Sequence, residues 1–255
     1  MLTPVPPNER QPLCSLFDGV LGLQGLIDSV MEGILGDAYA DDPANPRVGH
    51  IRLDFNAIAG DPEAPAARDL LAGLEEGEHV AVADAWTDLL VEVRGHDLQP
   101  YDRFDFSPGA WDRSALAAFH SSLTEGLTVT RVTGDTLPAF EDLEDSLIYN
   151  FESGEDFLNR GIGFGVFSSG RRCVAGCSSF AISSRSLEFE IQTHPAFQRR
   201  GLALATGARM IEHCIVNGLR PCWDAGHEGS ARLAERLGFT NRRQYTAYRV
   251  GTKPR

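Results

Sequence analysis

The chain has 255 residues, 42% of them apolar and 23% charged, and a formal net charge of −13, the composition of an ordinary globular protein with one large domain or two modest ones. The acidic excess disfavours nonspecific binding to nucleic acid or anionic lipid, and no apolar run reaches the roughly 18 residues of a membrane span. The leucine-rich stretch 16–35 carries Asp18, Asp28 and Glu32 and has no basic start of the signal-peptide kind, so a cytoplasmic location is expected.

Apolar residues at three- and four-residue steps (Leu16, Val20, Leu23, Ile27, Val30, Ile34) predict an amphipathic helix over 15–36, with Ser15 as cap and Gly36 as stop. A proline-containing loop over 41–47 leads to an alternating strand at 50–55. Helices are expected at 66–74, 85–93 and 111–123, and extended segments at 79–82 and 101–106. A second series begins near Leu127: a strand at 127–132, helices at 136–143 and 146–158, and strands at 163–168, 173–182 and 186–193. A long helix over 201–217 follows, with Leu202, Ala205, Ala208, Ile211 and Ile215 inward and Gly218 as its end. A short strand at 220–224, a helix at 229–237 closed by Gly238, and a last strand at 242–250 complete the pattern. The organisation read from this order is an α+β region over 1–125 and a second domain over 126–255.

The five cysteines (Cys14, Cys173, Cys177, Cys214, Cys222) have apolar neighbours and no metal-ligand spacing, so reduced core thiols are expected and no metal. Charge is uneven: residues 1–125 hold 22 acids and 7 bases, and residues 126–255 hold 14 acids and 16 bases. An anionic small molecule meets less repulsion in the second half. Lys253 is the only lysine, which leaves no basis for Schiff-base chemistry.

The segment His194-Pro195-Ala196-Phe197-Gln198-Arg199-Arg200-Gly201-Leu202-Ala203 passes from a strand into a helix. Alone it is either a helix start with two solvated arginines or an anion cradle. A helix N-terminus offers unpaired N–H groups and a partial positive charge. Gly201 admits close backbone approach, Ala203 keeps the next turn small, and Arg199 and Arg200 can add charge-assisted contacts. The preceding strand is polar on one face, with Glu188, Glu190 and Gln192 opposite Phe189 and Ile191. Such a face implies an edge strand or a wet cleft. Glu190 is then either an exposed or ion-paired carboxylate or a general base.

The succession of strand, motif turn, helix and short strand ends in Ser230-Ala231-Arg232-Leu233-Ala234-Glu235-Arg236-Leu237-Gly238-Phe239. Over about residues 126–250 it resembles the GNAT superfamily of acetyl-CoA-dependent N-acetyltransferases, in which a Gln/Arg-x-x-Gly-x-Gly/Ala turn follows the fourth strand. The runs Glu190–Thr193, Arg200–Ala203, Pro221–Ala225 and Leu233–Phe239 look like the branch typified by the zwittermicin A resistance acetyltransferase, and Tyr101–Phe106 is similar to a strand of that branch's N-terminal region. The resemblance implies an α+β, three-layer GNAT fold, a mixed and splayed central sheet flanked by helices, with an additional N-terminal α+β region acting as a lid or a degenerate companion domain. It places acetyl-CoA, as co-substrate, against Gln192 and Thr193 (pantetheine, through the main chain) and against Gln198, Arg199, Arg200, Gly201, Leu202 and Ala203 (pyrophosphate), with His227 and Ser230 as further contacts. His227 stands where the family usually has asparagine, and Ala234 stands where many members have the tyrosine acid. The acid then comes from elsewhere, with Tyr245 and Tyr248 as candidates, or is absent; aromatic residues on a strand also serve as core.

The expected reaction is direct acetyl transfer from acetyl-CoA to a primary amine of a small molecule, with Glu190 as base and Tyr245 as candidate acid, in a monomer or a homodimer. Two readings stand beside it: a protein or peptide N-acetyltransferase, and a non-catalytic acyl-CoA-binding regulatory or interaction module.

Overall fold

The computed structural model describes residues 2–124 and 126–251. In chain order come β1 (Thr3–Pro4), a 3-10 segment over Gln11–Gly19, α1 (Gln24–Met31), β2 (Asp37–Ala40), β3 (Val48–Arg52), β4 (Phe55–Gly60), α2 (Ala67–Ala72), β5 (His79–Val82), α3 (Thr87–Arg94) and β6 (Leu98–Ser107). Then follow α4 (Arg113–Ser121), β7 (Thr128–Arg131), α5 (Leu137–Glu141), a 3-10 turn Asp145–Leu147 and α6 (Gly154–Arg160). The chain continues through β8 (Gly163–Phe167), β9 (Cys173–Ile182), β10 (Ser186–Thr193), α7 (Leu202–Asn217), β11 (Arg220–Cys222), β12 (Asp224–Ala225), α8 (Glu228–Leu237) and β13 (Thr240–Val250).

The chain divides into Met1–Asp105 with Arg243–Arg255, and Phe106–Arg242, not at residues 125 and 126. The physical cause lies at both ends of the second unit. The end of β13 pairs antiparallel with β5, Tyr248 opposite Val80, and Arg243 is ion-paired to Asp105, so the last strand folds with the first unit. Helix α4 instead joins the second unit, where His120 Nε2 lies 3.0 Å from Glu212 Oε1 on α7.

In the first unit β1, β2, β3 and β4 pair antiparallel in sequence order, and β5 then pairs parallel with β4 across the α2 crossover. The core beneath is built from Val48, Ile58, Leu71, Val80, Trp86, Leu90 and Tyr248. The helix expected over 15–36 is broken here. Gly22 is left-handed, φ 79°, between the 3-10 segment and α1, and a Cβ on it would lie 2.4 Å from the Tyr245 hydroxyl. Local helical periodicity gave way to that contact with the far end of the chain.

The second unit repeats the same pairing. Strands β7, β8, β9 and β10 are antiparallel in order, and β11 pairs parallel with β10 after the α7 crossover. One face is covered by α7, whose Met210 and Cys214 join Phe164, Cys177 and Leu187 in a core cluster. Each such large apolar side chain contributes about 2 kcal/mol by leaving water. Ile215, expected inward, is 37% exposed; Cys214 and Ile211 take the buried positions, because the apolar stripe drifts round the helix. Phe140, Phe151 and Phe157 pack together at ring separations of 5.2 and 6.1 Å. The helix expected over 146–158 is a 3-10 turn followed by α6, which begins where the Ser153 side chain accepts from Asp156 N–H. All five cysteines are free thiols, four of them buried, and burial pushes Cys173 and Cys214 up to about 12. Among the described residues no helix is long and apolar enough to cross a membrane.

Candidate acetyl-CoA site

The candidate site is built on β10 and the turn after it. Strand β10 pairs with β9 along its length, from Leu187 opposite Ile182 to Thr193 opposite Ala175. Its other edge is paired only at the start, where Ser186, Leu187 and Glu188 face Arg220, Pro221 and Cys222 of β11. From Phe189 onward the parallel partner is gone, so the two strands splay. Glu188, at the fork, is buried, and its Oε1 accepts from Asp224 N–H at 3.0 Å.

Hydrogen-bond parity assigns the open edge. His194 N–H donates to Val174 C=O of β9 at 3.0 Å, and Arg220 N–H of β11 donates to Arg185 C=O at 2.7 Å. Main-chain groups alternate sides along a strand. Residues 190, 192 and 194 therefore face β9, and 189, 191 and 193 face the splayed edge. This corrects the expectation for Gln192, whose main chain points the wrong way; Ile191 and Thr193 present theirs to the opening. Thr193 Oγ1 is also buried and has no hydrogen-bond partner among the described residues.

The Gln192 side chain turns onto Glu190 instead. Gln192 Nε2 donates to Glu190 Oε1 at 2.8 Å, and Ser146 Oγ, from the 3-10 turn, donates to the same oxygen at 3.1 Å. Ser146 was not legible as a site residue: it lies 44 positions from Glu190 and no local pattern marks it.

The turn has the features of an anion cradle. Arg199 and Gly201 are both left-handed, at φ 62° and 78°, and alternating backbone handedness aims successive N–H groups toward one point. Gly201 caps α7 with no side-chain hydrogen bond, and a Cβ there would meet nothing within 4 Å. Space is thus open beside Gly201, at the positive end of a 16-residue helix whose first turn has no side-chain cap. Gln198 Nε2 donates to Thr193 C=O at 3.4 Å, and the Arg200 guanidinium lies 5.1 Å from the Phe197 ring centre. Arg172, at the β8–β9 hairpin, brings Nη2 to 2.7 Å of His194 Nε2, a further positive charge that the motif did not signal.

His227 and Ser230 sit at the start of α8. His227 Nδ1 accepts from Ser230 N–H at 3.2 Å and caps the helix. Histidine, standing where the family usually has asparagine, therefore serves here as a helix cap, and its Nε2 must carry the proton. Ser230 Oγ accepts from Trp223 Nε1 at 3.2 Å. Ala234 is buried, and its carbonyl accepts from Phe239 N–H at 3.1 Å. Tyr245 belongs to the first unit, against Gly22, as does Tyr248, which burial raises above the ordinary tyrosine value. Neither is brought to Glu190 by the second unit's own framework. Among the described residues no group of three or more His, Cys, Asp or Glu side chains is placed to hold a metal ion.

Comparison with known proteins places this geometry. The chain is 28% identical over 235 residues to YdfB of Bacillus subtilis (strain 168), an uncharacterised N-acetyltransferase, covering 86% of this chain and 87% of that one. A GCN5-related N-acetyltransferase-like protein from Streptococcus suis superposes with a TM-score of 0.81 at 27% identity, over 95% of this chain and 98% of the other. A tandem GNAT protein from the clavulanic acid biosynthesis pathway shares the fold at TM-score 0.59 and 9% identity, over 100% of this chain and 99% of its own. The mixed, helix-flanked α+β architecture is thus the GNAT fold, and with the GNAT acetyltransferase profile matching residues 15–248, the chain belongs to the GNAT acetyltransferase family.

Proposed function

We propose that the second unit transfers the acetyl group of acetyl-CoA directly to a primary amine of a small molecule, as in the zwittermicin A resistance branch, in a cytoplasmic protein. The observation that carries this reading is β10 itself, which loses its parallel partner after Glu188, presents Ile191 and Thr193 main-chain groups to the gap, and runs into the turn at the left-handed Gly201. The residues present suit the co-substrate. A pyrophosphate fits the N–H groups of 201–203 with Arg199 and Arg200 beside them, and the orphaned Thr193 Oγ1 suits a polar group of the pantetheine arm.

Bound acetyl-CoA supplies an activated thioester that already reacts with amines, so proximity carries most of the acceleration. Glu190 takes a proton from the amine, directly or through one water. The nitrogen lone pair bonds to the carbonyl carbon, and N–H groups on the open edge of β10 stabilise charge on the carbonyl oxygen. The C–S bond breaks with its electron pair on sulfur, and the proton shed by the acetylated nitrogen balances the one that the sulfur takes up to leave as CoA thiol.

Thiol release from acetyl-CoA across a panel of primary amines (ethanolamine, putrescine, tyramine, glycinamide) tests the activity. Glu190→Gln should lower kcat by about 10²–10⁴-fold with CoA affinity near wild type. Unchanged turnover would remove Glu190 from the mechanism. A thermal shift with acetyl-CoA but no turnover of any amine would favour a non-catalytic acyl-CoA-binding module.

A further inference from the structure

We propose that Ser146 and the Gln192 side chain are positioning residues that hold the Glu190 carboxylate in one orientation for proton transfer. The proposal rests on the reading of Glu190 as the base. Gln192 lies two residues along the same face of β10, and Ser146 arrives from a different layer. Their donors converge on one oxygen, Oε1, at 2.8 and 3.1 Å, and Gln192 Nε2 also lies 3.4 Å from Ser146 Oγ. The three polar groups close a triangle around an atom that a free glutamate side chain would leave mobile about three torsions.

The placement of Ser146 is built into the fold. The next residue, Leu147, is 1% exposed and seats directly on the sheet at Gly176. A Cβ on Gly176 would lie 2.9 Å from Leu147 Cδ1 and 2.7 Å from Phe140 Cε2, so only glycine lets these side chains come so close. Gly176 is the β9 residue opposite Gln192. Asn150 adds a second pin, Nδ2 donating to Phe180 C=O of β9 at 3.0 Å. Leu147 and Asn150 thus anchor the segment that follows the hydroxyl to β9 at Gly176 and Phe180, and Gly176 and Ser178 of the same strand face Gln192 and Glu190. A serine serves packing poorly there, since an alanine or valine would fill the layer with no polar group to satisfy. Its partners in this layer are Glu190 and Gln192.

A residue that acts through another leaves a thermodynamic signature. Once the carboxylate is gone, its holder has nothing left to hold, so the two substitutions are not additive. The test uses the full-length protein with acetyl-CoA and whichever amine of the panel is turned over fastest. Ser146→Ala should lower kcat about tenfold, with the KM for acetyl-CoA and the Tm near wild type, and Ser146→Thr, which keeps the hydroxyl, should recover most of the loss. In a Glu190→Gln background, Ser146→Ala should add no further loss. Should Ser146→Ala fail to fold, Gln192→Met enters the same cycle in its place. Wild-type turnover by Ser146→Ala, or an equal loss with and without Glu190, overturns positioning while leaving the base in place. Wild-type turnover by Glu190→Gln, or no thiol release with any amine, removes the base on which both rest.

Discussion

Gly201 and Gly218 offer a matched pair at the two ends of α7. Both are left-handed caps, φ 78° and 68°, and a Cβ on either would meet nothing within 4 Å. Alanine at either position therefore pays only the backbone cost of the left-handed region, about 1 kcal/mol, with no steric clash. For units of this size that lowers Tm by about 2–4 °C, and both variants should show it. They part company on CoA. At Gly201 the added methyl enters the open space beside the turn, which the proposed function gives to the pyrophosphate. Losing one hydrogen bond to a charged group costs about 1.5–3 kcal/mol, so Gly201→Ala should raise the Kd for CoA roughly 10–150-fold. Gly218→Ala, at the other end of the helix, should leave it unchanged. Titration calorimetry with CoA, beside thermal melts of both variants, reads both quantities. If Gly201→Ala melts as expected but binds CoA like wild type, the turn is a strand-to-helix connection and not a cradle.

Calorimetry should also find one CoA per chain, and two would show that the first unit retains a site of its own. At the start of α8, His227→Asn should keep the cap and hence the Tm, whereas His227→Ala should cost about 1 kcal/mol; an asparagine variant as damaged as the alanine one would refute capping as the reason histidine is tolerated. Burial, the largest cause, lowers His50 below the ordinary histidine value, and the same direction and cause hold for His79 and His213. The unfolded chain then binds the extra proton first, so this stability is fully present above about pH 6.5 and is lost as pH falls through the folded values. His50 can contribute at most about 1.4 kcal/mol per pH unit in that window. Asp54, raised by burial, acts with the opposite sign from the ordinary aspartate value upward, so the informative comparison is a difference. Urea unfolding at pH 7.5 and 5.5 should show a shallower dependence in His50→Gln than in wild type, and equal slopes would refute the assignment.

The readings that survived were those set by local chemistry. Alternation of Phe189 and Ile191 with Glu188, Glu190 and Gln192 bounds β10 where it is observed, Ser186–Thr193, because strand period and side-chain polarity are both local. Gly201 and Gly218 bound α7 for the same reason, each being the left-handed residue that a helix end tolerates. What failed depended on contacts far away in sequence. The helix over 15–36 breaks at Gly22 against Tyr245, more than two hundred residues on. The direction of the Gln192 main chain depends on which neighbour strand pairs with β10 and where that pairing stops. Ser146 joins Glu190 only because Leu147 finds Gly176, a juxtaposition that no spacing announces.

The two units share one plan and differ in charge at the equivalent place. In each, four antiparallel strands are followed by a crossover helix and a parallel fifth strand. In the second unit the crossover begins with Arg199, Arg200 and the left-handed Gly201 ahead of a 16-residue helix. In the first it begins at Gly60, also left-handed at φ 103°, but Asp61 and Glu63 follow before a helix of only six residues. Asp61 is held below the ordinary aspartate value by its hydrogen bond to Arg47. A cavity of about 520 Å³ in the first unit sets Asp69, Glu75 and Glu78 against Arg52 alone among its lysine and arginine side chains, a lining that disfavours an anion. A shared topology thus reaches opposite electrostatic ends: the crossover of the first unit opens on Asp61 and Glu63, that of the second on Arg199 and Arg200.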